Sequence, residues 1–274
     1  MTPTFTPFDS GLKAWLVLHA KDGPGVSVIE IEGVPCVVKR RRDSMSTRLI
    51  YILRFIRSWT LAQFCWLALG EHPSARVLLQ NGLSDEAKRL KILYEAGCHV
   101  PEILHQEPGV LVLAYVGQGV PFLVRRSVPA QRLVWMDRCA RDLAAFHQAG
   151  FVHGGAQLRN LMFLNDRITR VDFEENIGEA MSRPLGQAYD VYQMLSSMAG
   201  LRGHELTPDS RQLLCNRLLD TYLEANPDPL VAKELARFGR FFGKVKTSLG
   251  WLLARLHWRD VQGFLYVTHT LQRL

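Results

Sequence analysis

Cysteine is scarce in this chain and badly spaced for any shared task. Cys36, Cys65, Cys98, Cys139 and Cys215 are odd in number and contain no C-x-x-C pair. That argues against a disulfide framework or a thiolate zinc site, and fits a reduced cytoplasmic setting. A long uncharged run is missing too. The most apolar stretch, residues 49–70, is interrupted by Arg54 and Arg57, whereas a membrane span needs about 20 apolar residues. Met1 to Ser10 has neither a basic start nor a long apolar core, so it does not read as a secretory signal. Repeats and low-complexity tracts are absent. Acidic residues are in deficit: 26 Asp and Glu stand against 33 Lys and Arg, for a net charge of +7. A basic balance suits nucleic acid, anionic lipid or phosphorylated substrates without choosing among them.

What is present is an ordinary folded composition, 274 residues at 47% hydrophobic and 22% charged, enough for one large domain or two lobes sharing a cleft. Near the start, Trp15–Leu18, Val26–Ile31 and Val34–Arg40 read as three strands. Lys21-Asp22-Gly23-Pro24-Gly25 would be the turn joining the first two, or a short glycine loop over phosphates. Residues 44–79 form an insertion. Ile50, Leu53, Phe55, Ile56, Trp59, Phe64, Trp66 and Leu67 lie there with Arg48, Arg54 and Arg57 interspersed. Two readings stay open: a basic amphipathic helix at a membrane surface, or a helix packed on its own domain with arginines reaching outward. Ser84–Gly97 reads as a helix capped by Ser84, with Asp85 and Glu86 at its positive end. Val110–Val116 is an apolar strand. The spacing then predicts helices over 131–150, 185–201, 207–223 and 229–256. Strands first and helices after imply an α+β chain.

The densest information lies in Phe151–Phe163 and the segment after it. His153 and Asn160 bracket a glycine-containing loop, and Asp172-Phe173-Glu174 follows the strand-like run Ile168–Val171. With Lys39 closing a strand, Glu86 on a helix, the apolar strand near residue 115 and Asp190 beyond, the order resembles the protein kinase-like superfamily. Within it, Leu143–Gly154 is similar to the small bacterial and archaeal branch, the lipopolysaccharide core heptose and Kdo kinases and the Bud32/RIO-like kinases. The likeness runs from about Val26 to Leu201.

This resemblance implies a two-lobe fold, with an N-lobe over 1–116 and a helical C-lobe over 117–274. It implies ATP and Mg²⁺ as ligands. Lys39 would reach the nucleotide phosphates and Glu86 would hold it there. Backbone around Ala114 and Val116 would meet the adenine. Asn160 and Asp172 would carry the metal, and Asp190 would brace the loop. His153 would orient the same loop by hydrogen bonds. One position departs from the pattern: Gly155 stands where a kinase carries its catalytic Asp. Gln157 and Arg159 are then the loop residues left to hold a substrate oxygen or the γ-phosphate. Glu174 and Glu175 are either an extra metal ligand and substitute base, or solvated loop charges.

Three functions follow as expectations. The first is an ATP-dependent phosphotransferase at the cytoplasmic membrane face, acting on a lipopolysaccharide precursor or a protein Ser/Thr. The second is a pseudokinase, a nucleotide-binding regulator. The third is a RIO-like ATPase with an RNA-modifying partner, although no nucleic-acid recognition motif is present. The basic, aromatic segment 238–274 suits either anionic headgroups or internal packing.

Overall fold

The computed structural model describes residues 7–19, 23–41, 82–174, 177–203, 206–253 and 259–274, with isolated positions between 55 and 71. Most of the insertion 44–79, Glu175 and the linker residues Lys21 and Asp22 lie outside the described residues.

The first element is a helix, α1 (Pro7–Leu18), not the strand expected at Trp15–Leu18. Leu12 and Leu16, one turn apart, are both buried against Ile31, Cys36, Val38 and Val112. That i, i+4 pair is a helical signal, and a four-residue apolar window could not reveal it. The strands β1 (Gly25–Ile31) and β2 (Val34–Arg40) form an antiparallel hairpin. Its turn is Glu32-Gly33, with φ of 50° and 77°. Positive φ at both central residues is the turn that matches strand twist. The β1–β2 hairpin therefore closes at residue 33, and α1, not a strand, precedes β1; Lys21 and Asp22 of the expected turn lie outside the described residues.

α2 (Leu83–Glu95) follows. Its cap is Gly82, whose N–H donates to the Asp85 carboxylate at 3.1 Å; Ser84 sits inside the first turn and does not cap it. β3 (Ile103–Glu107) and β4 (Val110–Ala114) complete a four-stranded antiparallel sheet in the order β1-β2-β4-β3. Alternation decides its two faces. Cys36, Val38 and Val112 turn toward α1, while Val37, Leu111 and Leu113 turn toward α2 with Leu90 and Leu93. Lys39 shares the second face, and that places its ammonium at the base of the cleft.

The rest is helical around a small second sheet. β5 (Gln118–Gly119) leads into α3 (Val120–Arg126) and the long α4 (Pro129–Gln148). β6 (Leu161–Leu164) and β7 (Arg167–Arg170) pair with β5 in the order β5-β6-β7. The short α5 (Ile177–Ala180) precedes α6 (Arg183–Ala199), α7 (Pro208–Ala225), α8 (Pro229–Leu253) and α9 (Arg259–Leu271). Prolines in the first turn open α4, α6 and α7, where the missing N–H costs nothing. Met136 and Leu143 of α4 are fully buried in one core with Leu185, Met194, Leu218 and Leu235 of α6, α7 and α8. Each such side chain contributes about 1.5–3 kcal/mol. This larger core is the rigid base on which the site is mounted.

Of the two readings for 238–274, internal packing holds for the described aromatics. Phe238 and Phe242 are buried, and Phe264 meets Phe242 edge-on. Cys139 and Cys215 are also fully buried; desolvation pushes both thiols up to about 12, so they stay protonated and inert.

Candidate active site

A cavity of about 640 Å³ lies between the four-stranded sheet and the helical part. Val26 and Val28 of β1 cover it, and Met162 of β6 faces them from the other side. Its back wall is the strand end Leu113–Val116, and its polar end holds Lys39, Asn160, Asp172 and Glu174. Gly23 and Gly25 are not among its lining residues.

The back wall can read a flat ring. The Ala114 N–H is taken by the Glu102 carbonyl and the Tyr115 N–H by Pro35. The Val116 N–H carries no partner among the described residues, so it is the donor this wall has left. Gly117 then brings the chain against β6. Its φ is +100°, and a Cβ there would collide with the Phe163 carbonyl oxygen. Only glycine fits that approach.

At the polar end, strand alternation aims Lys39 inward, and the first turn of α2 brings Glu86 to it. Lys39 Nζ is 2.6 Å from Glu86 Oε1 and 3.4 Å from Asp172 Oδ1. Glu86 is fully buried. Burial pushes its carboxyl above the ordinary range, and the Lys39 ammonium pulls it back. Lys39 thus holds three elements together: β2, α2 and the segment after β7.

Asp172 follows β7 with a φ of +72°. A non-glycine residue in the left-handed region costs about 1–3 kcal/mol and persists only where its surroundings hold it. Three contacts do so. The Val171 N–H donates to the Asn160 carbonyl at 2.9 Å. Arg89 donates to the Phe173 carbonyl at 2.6 Å. Phe173 is buried and stacks on the His153 ring at 4.2 Å.

His153 is buried, and both its nitrogens are engaged. The Gly155 N–H donates to Nδ1 at 3.2 Å. Nε2 then carries the proton and donates to the Val171 carbonyl at 3.1 Å. Burial pushes the ring down to about 4, so it is neutral. Its place in the structure is a bracket between the loop and the Asp172 segment. Beneath it, Asp190 of α6 accepts from the His153 N–H at 2.6 Å and the Gly154 N–H at 2.8 Å. His147, itself bonded to Tyr222, meets the same carboxylate at 3.2 Å.

Asn160 ends a one-turn 3-10 helix, Leu158–Asn160. Its Nδ2 donates to the Gly155 carbonyl at 2.8 Å. That bond fixes the amide orientation and leaves Oδ1 as the acceptor on the cavity side. An amide oxygen beside a strained carboxylate is a sparse oxygen set. It fits Mg²⁺, which takes one or two protein ligands and completes its shell with water and phosphate. Among the described residues no group of three or more His, Cys, Asp or Glu could hold a metal by itself.

The remaining loop residues diverge. Gln157 points away to Gln193, its Nε2 donating at 2.9 Å, and Gln193 bonds Tyr189. Arg159 is exposed at the cavity mouth. Glu174 lines the cavity and pairs with Arg41; Glu175 lies outside the described residues. Sequence reasoning left out Arg41, Arg89 and Gln193. Arg89 could have been found, since it sits one helical turn from Glu86 on the same face. The other two are brought in by tertiary packing alone.

A family model described as a RIO domain matches residues 66–183. That stretch contains Glu86, Asn160 and Asp172 but not Lys39. No curated protein matches the chain in sequence. Among solved structures, the chain is similar to one titled WaaP in complex with acyl carrier protein. That likeness is at 15% identity over 89% of this chain and 86% of that one, with a TM-score of 0.41. It is also similar to a MAP kinase from Leishmania major. There the identity is 13% over 94% of this chain and 81% of the other, with a TM-score of 0.37. The matched stretch is less than half of the chain, carries the loop and Asp172, and is where this chain is similar to a RIO domain.

Proposed function

We propose that this protein is an ATP-dependent phosphotransferase. The observation that carries the reading is the convergence of Lys39, Glu86, Asn160 and Asp172 at one end of a cavity whose other end offers an unpartnered backbone N–H. The adenine lies between Val26, Val28 and Met162 and accepts from the Val116 N–H. Lys39 donates to the inner phosphates, held in place by Glu86. Asn160 Oδ1 and the Asp172 carboxylate are the residues that would hold Mg²⁺. When bound, the ion neutralises charge on the phosphate oxygens. His153 and Asp190 keep the loop rigid, and rigidity is what phosphoryl transfer asks of a protein, since positioning and electrostatics dominate it.

We place the acceptor at an anionic membrane face, as a lipid-linked sugar of the lipopolysaccharide type. Support comes from the net charge of +7 and from Phe55, Ile56, Trp59 and Trp66, all exposed in a segment that also holds Arg54 and Arg57. No helix among the described residues is long and apolar enough to cross a membrane. A second reading, a nucleotide-binding pseudokinase, is favoured by Gly155.

The test is transfer of label from γ-labelled ATP to a membrane extract in Mg²⁺, beside Asp172→Ala. Label that depends on Asp172 supports the phosphotransferase. Nucleotide binding with no transfer leaves the pseudokinase. Flotation with anionic and neutral liposomes tests the membrane placement.

A further inference from the structure

Among the described residues that line the cavity, each carboxylate and imidazole close to the loop is already engaged. Gly155 has no side chain. The space is not blocked: a Cβ there would lie 3.6 Å from Asn160 Nδ2 and 3.7 Å from His153 Nδ1, ordinary contact distances. His153 has both nitrogens in use and is buried. Glu86 is paired with Lys39, and Glu174 with Arg41. Asp172 faces Lys39 and the metal position. Gln157 cannot accept a proton, and it is tied to Gln193.

What the mouth does offer is positive charge. Arg159 is exposed there, adjacent to Asn160, with no partner among the described residues. A guanidinium in such a place recognises a phosphate or carboxylate by paired hydrogen bonds.

We infer that the acceptor oxygen is one already ionised at neutral pH, belonging to a phosphate monoester or a carboxylate that Arg159 holds at the mouth. The inference rests on the phosphotransferase reading and names the substrate class for the same site. The step balances without a base. A lone pair on the acceptor oxygen forms a bond to the γ-phosphorus. The bond from that phosphorus to the β–γ bridging oxygen breaks, and ADP leaves with its electron pair. The product is a diphosphate or an acyl phosphate, and no proton moves. A hydroxyl acceptor would forgo the ~10²–10⁴-fold that a positioned base contributes.

The experiment uses the full chain, γ-labelled ATP, Mg²⁺ and one membrane extract divided in two. One half is first treated with alkaline phosphatase, which is then removed. Mg·ATP binding is measured calorimetrically on the same protein. Loss of labelling after phosphatase treatment supports a phosphate monoester acceptor. Labelling that survives phosphatase but is released by hydroxylamine supports a carboxylate. Arg159→Gln is expected to raise the extract concentration giving half-maximal labelling about tenfold, the loss of roughly one charge-assisted hydrogen bond. Gly155→Asp is expected to label the phosphatase-treated half, where the wild-type chain does not. Wild-type labelling that is indifferent to phosphatase and stable to hydroxylamine overturns the inference while leaving the phosphotransferase intact. Tight Mg·ATP binding with no labelling of either half overturns both the inference and the transfer on which it rests. Absence of Mg·ATP binding removes the nucleotide site itself.

Discussion

One oxygen of the buried Glu86 carboxylate lies 2.6 Å from the Lys39 ammonium, and the other has no hydrogen-bond partner among the described residues. The carboxylate therefore depends on a single cation. Breaking a buried pair from one side costs about 3–5 kcal/mol, whereas replacing both members with apolar groups is often neutral. Lys39→Met should lower stability in urea by about 3 kcal/mol at pH 7.5, and Lys39→Met with Glu86→Leu should regain most of it. Without the ammonium, burial raises the Glu86 carboxyl further above its unfolded value. The folded state then binds the extra proton, so the single variant should lose stability as pH rises above the ordinary carboxylate range. Both variants should lose ATP binding.

Asp172 makes the opposite trade. Its backbone is in the left-handed region, which glycine adopts freely. Asp172→Gly should raise stability by about 1 kcal/mol in urea, and should abolish Mg²⁺-dependent ATP binding. Lower stability in this variant would show that the carboxylate belongs to the folding core.

His153 should make the fold acid-sensitive. Burial pushes its ring down to about 4, against about 6.5 in an unfolded chain. Between those values the unfolded chain binds a proton that the folded chain does not, so stability falls as pH falls from about 6.5 to 4. The full effect is about 3 kcal/mol at roughly 1.4 kcal/mol per pH unit. Thermal melts at pH 7.5 and 5 should show the drop. His153→Gln should melt lower at pH 7.5 and show a shallower drop. His147, pushed down by the same burial, accounts for what remains.

Asp190 satisfies two loop N–H groups at once. Asp190→Ala orphans both, at about 1–3 kcal/mol each. Asp190→Asn keeps one acceptor oxygen and should cost about half as much. Hydrogen exchange at residues 153 and 154 should quicken in the same order.

Much of this site was legible because its parts are local. Asp172 follows a short strand at a fixed step, and Asn160 closes a loop that His153 opens, so linear spacing carries the three-dimensional relation. Lys39 and Glu86 were legible as strand-end lysine and first-turn acid. The pairings of Glu174 with Arg41, Gln157 with Gln193 and Arg89 with Phe173 were not. Each joins elements whose relative placement depends on the sheet order β1-β2-β4-β3 or on how α6 packs beneath the loop. The helix at Trp15–Leu18 escaped for a simpler reason: its buried face is set by Leu12 and Leu16 against the sheet, and four apolar residues suit either period.

The most direct measurement is a calorimetric titration of the full chain with ATP, with and without Mg²⁺, repeated on Asn160→Ala and Asp172→Ala. We expect binding that tightens at least about tenfold with Mg²⁺ in the wild-type chain and loses that dependence in both variants, as removal of a charge-assisted ligand implies. Equal affinity in the presence and absence of Mg²⁺, unaltered by either substitution, would contradict a metal–nucleotide site at residues 160 and 172.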